Sequence, residues 1–240
     1  MAALDRHERL ALARSTLAAA LRTSGVSPVL TEGRDAGESA VSTGWRALDE
    51  ALGGGLRPGR IVEIVGSDSS GRMSLALAWL SRALRAGLRA AFVDTVDALD
   101  PGALHPDDRP RVLWVRAPDV WTGSKCVDLL LDGGGFGLVV LYRVGALSMQ
   151  SGRGARSAVD RTAAWVRLAH RAEKARCCVL VVEDDVGTRT SSMHAHAAVR
   201  VHRHRAQWQG RASLETLDCR VEVTRRGLQT QTVCVHFGRE

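Results

Sequence analysis

The sequence predicts an α/β protein: a mainly parallel, twisted sheet flanked by helices, with antiparallel edge strands at the C-terminal end. Three observations carry this. Short apolar runs at 61–65, 90–94, 112–115, 138–144 and 178–182 alternate with segments of helical periodicity, as a parallel sheet with crossover helices requires. Residues 62–80 read as strand, glycine loop and helix in immediate succession. After Gly187 the helical periodicity stops, and segments 198–206, 220–224 and 229–237 alternate apolar and polar residues in the manner of strands.

The chain of 240 residues can bury one sizeable core with a small appendage, read as 1–41 (helix and flexible linker) ahead of a core domain at 42–240. The 33 basic residues against 26 acidic ones give a net charge of +7, which permits contact with nucleic acid or an acidic partner without requiring either. The five cysteines (Cys126, Cys177, Cys178, Cys219 and Cys234) are odd in number and show no metal-binding or C-x-x-C spacing, so they read as reduced thiols. No apolar run approaches the length of a membrane span, and the N-terminus reads as charged helix rather than a signal peptide, so a cytoplasmic protein is expected.

Taken in order, residues 2–23 carry Leu10, Leu12, Ala13, Leu17, Ala20 and Leu21 near helical spacing. This amphipathic helix is either an arm packed on its own domain or a docking helix for another subunit. A Gly-, Ser- and charge-rich linker follows at 24–42. A short helix at 45–52 ends at Gly53 to Gly55, and Arg57-Pro58-Gly59 turns the chain into the strand at 61–65. The helix after the glycine loop runs to about residue 86, where Gly87 is a natural C-cap. Strands at 90–94 and 112–115 flank a loop region at 101–110. A helix at 124–132 stops at three glycines, 133–135, ahead of the strand at 138–144. A basic loop (148–157), a helix (158–175), a strand (178–182) and a polar loop (187–192) lead to the alternating segments, which are expected to pair antiparallel.

The glycine loop is the centre of the functional reading. A phosphate-binding loop has the pattern G-x-x-x-x-G-K-[ST]: backbone N–H groups cradle phosphates, the lysine reaches the terminal phosphates, and the hydroxyl ligates Mg²⁺. Gly66, Ser69, Ser70 and Gly71 satisfy the spacing, but Arg72 stands for the lysine and Met73 for the hydroxyl residue. Arginine is a planar fork where the loop needs a compact point charge. A thioether is a soft ligand where Mg²⁺ demands oxygen. The loop has the shape of a phosphate loop without its chemistry.

On these residues a family resemblance can be stated. Val41-Ser42-Thr43-Gly44, Leu48-Asp49, Ala51-Leu52-Gly53, Arg60 to Gly66 and Ser69-Ser70-Gly71, continued by Ala91 to Asp94 and Ala98 to Pro101, resemble the core of RecA-type recombinases over roughly 42–237. The resemblance implies a RecA-like fold. It also places the family's catalytic glutamate on Val96 and the acidic residue ending its second nucleotide-binding strand on Tyr142, while the adenine-stacking aromatic expected near Ala103 is missing. Phosphoryl transfer rests on positioning and electrostatics supplied together. No ATPase activity and no nucleotide cofactor are therefore expected.

A shortened, ATPase-dead RecA-like chain with an N-terminal helix resembles the ImuA family of bacterial mutasome accessory proteins. That resemblance implies a noncatalytic adaptor of the DNA-damage (SOS) response, acting in translesion synthesis. Its implied partners are an ImuB-like Y-family polymerase homologue, RecA itself and, indirectly, an error-prone C-family polymerase. The alternatives are a weak ATP-dependent, DNA-binding recombinase-like protein and a SulA-like division inhibitor acting on FtsZ.

The remaining motifs have both functional and plain readings. The recombinase family's two DNA-binding loops correspond to 148–157 and about 186–197, so Arg153, Arg156 and Arg189 are candidate phosphate contacts, or simply solvated arginines. His194, His196, His202 and His204 invite a metal, but no nearby carboxylate or cysteine completes a shell, and none is expected. Asp184 and Asp185 at a strand end read as a polar cap on the sheet rather than an acid–base pair. Trp208, after a basic strand, is a candidate partner anchor.

Overall fold

The computed structural model describes residues 39–143, 158–185, 195–209 and 213–238. The helix expected at 2–23, most of the linker, and Arg153, Arg156, Arg189 and His194 lie outside them. The described chain forms helices α1 (Arg46–Leu52), α2 (Arg72–Arg85), α3 (Val120–Gly133) and α4 (Ala158–Ala175). Its strands are β1 (Ile61–Gly66), β2 (Ala90–Asp94), β3 (Val112–Arg116), β4 (Leu138–Tyr142), β5 (Cys178–Asp184), β6 (Ala197–Gln209), β7 (Ser213–Arg225) and β8 (Gln231–Gly238).

The eight strands make one sheet in the order β3-β2-β4-β5-β1-β6-β7-β8. The five apolar runs of the sequence are its parallel heart, and β2, β4 and most of β5 are buried on both faces, which is why they read as continuous apolar runs rather than alternations. The last third differs from expectation in two respects. The strand β6 pairs with β1 in parallel, Val62 opposite Ala197 through Gly66 opposite Val201, so only β6–β7 and β7–β8 are antiparallel. Both β6 and β7 also run longer than their alternation indicated. Register shifts between Arg203 and Arg205 and between Gln207 and Trp208 interrupt the period-two pattern, hiding the continuation of each strand.

Phe92, Val140 and Tyr142 join Leu48, Leu52, Trp79, Leu80, Leu180, Val199 and Val221 in the main core, on the face covered by α1 and α2. The opposite face carries α3, which begins at Val120 and not at 124. Asp119 caps it, accepting from the Thr122 N–H at 2.8 Å and the Thr122 hydroxyl at 2.8 Å. Gly123 lies inside this helix because the backbone passes close to β2: a Cβ there would fall 2.5 Å from Thr95 Cγ2. The helix α1 is ordered from its flank. Asp49 accepts from the Thr43 N–H and hydroxyl, both at 2.7 Å, and from the Ser42 hydroxyl at 2.6 Å, while Gly53 closes the helix in the left-handed conformation at φ 79°.

Candidate functional site

The carboxyl ends of β2, β4, β5 and β1 come together where α/β sheets place their ligands. There β1 ends at Gly66, and the loop to Gly71 delivers the chain into α2. The loop is fixed by its glycines and by packing against the late strands. A Cβ at Gly66 would lie 2.3 Å from Ser70 Oγ and 2.9 Å from the Val201 carbonyl; one at Gly71, where φ is 99°, would lie 2.5 Å from Cys219 Sγ. Ser69 is exposed and left-handed at φ 57°, whereas Ser70 is buried and its carbonyl accepts from the Cys219 thiol at 3.2 Å.

Arg72 folds back into this loop. Its side chain is only 5 % exposed, and its guanidinium donates to the Gly66 carbonyl and to Asp68 at 2.7 Å and forms an ion pair with Asp184 at 2.9 Å. Burial works against the charge, but the neighbouring Tyr142 and the charges of Asp184 and Asp68 outweigh it, holding the Arg72 pKa above its ordinary value. The cation that would reach a terminal phosphate is thus engaged by the loop's own carbonyl and by two carboxylates, and those carboxylates repel an incoming anion.

The neighbouring positions add to this. Tyr142 is buried and stacks on Phe92 with ring centroids 6.0 Å apart. Met73 is half-buried against the core, where its thioether offers no hard oxygen ligand. Val96 is 47 % exposed beyond the end of β2, and the Asp94 carboxylate beside it is taken up by the N–H groups of Val96 at 3.2 Å and Leu99 at 2.9 Å. These residues do not fit a Mg²⁺–nucleotide: the lysine contact, the metal's hydroxyl ligand and a carboxylate to orient water are each replaced by a side chain that cannot supply them.

Five sequence-predicted positions (Gly66, Ser70, Gly71, Arg72 and Tyr142) therefore meet in one cluster, while Met73 packs into the core and Val96 stands apart on its turn. Sequence reasoning missed Asp68 and the role of Asp184. The signal for Asp184 was topological, since β5 lies parallel beside β1 with Gly66 opposite Asp184. Asp185 points elsewhere and pairs with Arg200, so the two aspartates do diverge. Among the described residues no His, Cys, Asp and Glu group is arranged to hold a metal. His196 instead meets the Leu52 carbonyl at 3.3 Å, and His202 lies 3.8 Å from Glu222. Trp208 is 57 % exposed, opposite the exposed Leu214.

A family model described as the RecA N-terminal domain matches residues 16–182. The chain belongs to that family. The match begins earlier than the resemblance read from the residues and stops before β6. Among curated relatives, Protein RecA of Thioalkalivibrio sulfidiphilus is 43 % identical over 118 residues, covering 45 % of this chain and 33 % of the relative. Protein RecA of Nocardia farcinica is 40 % identical over 152 residues, covering 60 % of this chain and 42 % of the relative. Protein RecA of Borrelia hermsii is 35 % identical over 162 residues, covering 62 % and 42 %. This RecA-like chain thus spans well under half the length of the curated relatives it matches. Among the described residues no helix is long and apolar enough to cross a membrane.

Proposed function

We propose that this chain is a noncatalytic RecA-like adaptor of the DNA-damage response in the cytoplasm. It would support error-prone translesion synthesis in the manner of the ImuA family, by binding an ImuB-like Y-family polymerase homologue and RecA. The observation that carries the reading is Arg72, whose guanidinium is spent on Gly66, Asp68 and Asp184 inside the phosphate loop. A protein that keeps the RecA core but fills its phosphate site from within retains a surface for partners rather than a cycle of hydrolysis. The rival reading, a slow ATP-dependent recombinase-like protein, draws on identities of 35–43 % to proteins named RecA.

Affinity capture of the tagged protein from its own DNA-damaged cells, with nuclease treatment, tests the adaptor reading. The expected result is recovery of a Y-family polymerase homologue and RecA that survives nuclease. Recovery of FtsZ with neither of them refutes it in favour of a division inhibitor. ATP hydrolysis above background that disappears when Arg72 is changed refutes it in favour of the enzyme.

A further inference from the structure

At the opposite end of β1 from the phosphate loop lies a cleft of about 450 Å³ between the C-terminal turn of α4, the start of β1, the approach to β6 and the β7–β8 turn. Arg60, Arg225 and Arg226 line it, and among the described residues none of the three is in an ion pair. Glu173 on α4 is the carboxylate of the lining. His196 adds a neutral group. Its Nε2 faces the Leu52 carbonyl, which can only accept, so that nitrogen carries the proton and Nδ1 is left as an acceptor. His170 on α4 is the remaining polar side chain, and the apolar part has Ile61 and Ala195 as floor and Leu228, 52 % exposed, at the lip.

We infer that this cleft docks an acidic peptide segment of a protein partner, its carboxylates on Arg60, Arg225 and Arg226 and an aliphatic side chain against Ile61, Ala195 and Leu228. Charge complementarity selects an anion, and the arginine fork matches carboxylates in bidentate geometry. Two features select a peptide over a nucleic-acid strand. The lining holds no Phe, Tyr or Trp, its rings being the imidazoles of His170 and His196, and its aliphatic floor of Ile61 and Ala195 suits an aliphatic side chain better than a stacked base. Glu173 and His196 Nδ1 need hydrogen-bond donors, which a peptide backbone supplies and a DNA phosphodiester backbone lacks. The inference rests on the adaptor reading only in supposing a protein partner. ATP hydrolysis dependent on Arg72 would end that reading and leave the cleft intact, whereas a failed peptide titration would do the reverse.

The test is fluorescence anisotropy of the full chain with a fluorescein-labelled peptide of about ten alternating glutamates and leucines, beside a twin with glutamine for glutamate. The twin is expected to bind about tenfold more weakly or worse. Arg60→Gln/Arg225→Gln/Arg226→Gln should lose about tenfold in affinity for the acidic peptide, while Arg85→Gln/Arg203→Gln/Arg220→Gln, an equal charge change outside the cleft, should lose less than about threefold. On the unsubstituted protein, the peptide should slow amide hydrogen exchange at 57–61 and 225–228. No binding of the acidic peptide at millimolar concentration, equal losses in the two triple variants, or no protection at those segments would overturn the inference. Tight binding of oligo-dT that the acidic peptide cannot displace, and that the cleft variant loses, would reassign the cleft to nucleic acid.

Discussion

Replacing Arg72 by alanine tests whether the phosphate loop is held from within. The side chain is 5 % exposed, Asp184 is 28 % exposed and Asp68 is 90 % exposed. A pair as open as that with Asp68 contributes about 0–1 kcal/mol. Removing one member of a fully buried pair costs about 3–5 kcal/mol, and Asp184, which retains water on one side, is assigned about 1–2 kcal/mol of that. The hydrogen bond to the Gly66 carbonyl adds about 1 kcal/mol. Arg72→Ala is therefore expected to lose about 3 kcal/mol in urea unfolding followed by far-UV circular dichroism, with the slope of the transition unchanged. Arg72→Lys, which keeps one charge but not the fork, should fall between the two. An Arg72→Ala protein within about 0.5 kcal/mol of the parent would refute the reasoning, because a guanidinium held by three groups cannot be removed without consequence.

Four further outcomes are expected. The combination Arg72→Lys/Met73→Thr/Val96→Glu/Tyr142→Asp should acquire Mg²⁺-dependent binding of a fluorescent ADP analogue, measured by its emission change, where the parent shows none. Asp119→Ala should destabilise the protein by about 1 kcal/mol through loss of the α3 cap. The cap to Thr122 holds the Asp119 pKa below its ordinary value of 3.8, so its contribution is complete above that value and is lost as the pH falls through the lowered one; the Asp119→Ala difference in melting temperature should vanish at low pH. Burial pushes the Cys178 thiol up to about 12 and the Cys219 thiol up to about 11, and Cys177 higher still, so a thiol reagent at pH 8 should modify exposed Cys234 quickly and these three only on unfolding. Burial, with Arg60, Arg57 and Arg225 nearby, holds His196 below its ordinary 6.5 despite its bond to Leu52. The fold thus has its full stability above pH 6.5 and loses part of it as the pH falls through the lowered value. His196→Asn should flatten that segment of a stability–pH profile in which His170, Glu173 and Arg226 also face the cleft.

The parallel half of the fold was legible because its strands are buried on both faces. Runs such as Leu138–Tyr142 cannot be mistaken for amphipathic surface, and the glycines at 66 and 71 mark a turn that few other sequences make. The helix α3 was read four residues short because Gly123 looks like a helix breaker until β2 is seen beneath it. The strand β6 gave no sign that it lies parallel to β1, since the direction of an alternating segment is set by what it pairs with and not by its own residues. At the site, the loss of the lysine and hydroxyl chemistry was visible position by position. That Arg72 turns inward was not, because it depends on Asp184, which is distant in sequence and adjacent only through the sheet.

The thiol–carbonyl contact that closes the phosphate loop joins residues 149 positions apart, Ser70 and Cys219. Its partner strand leaves the ribosome well after the loop does. Long-range pairings of this kind form slowly, because the loop-closure entropy is lost before the contact compensates for it. The loop can therefore settle only after β7 is in place. An emerging chain carries it unsupported until β7 has been made, and a chain that ends before β7 lacks the strand against which Gly71 packs.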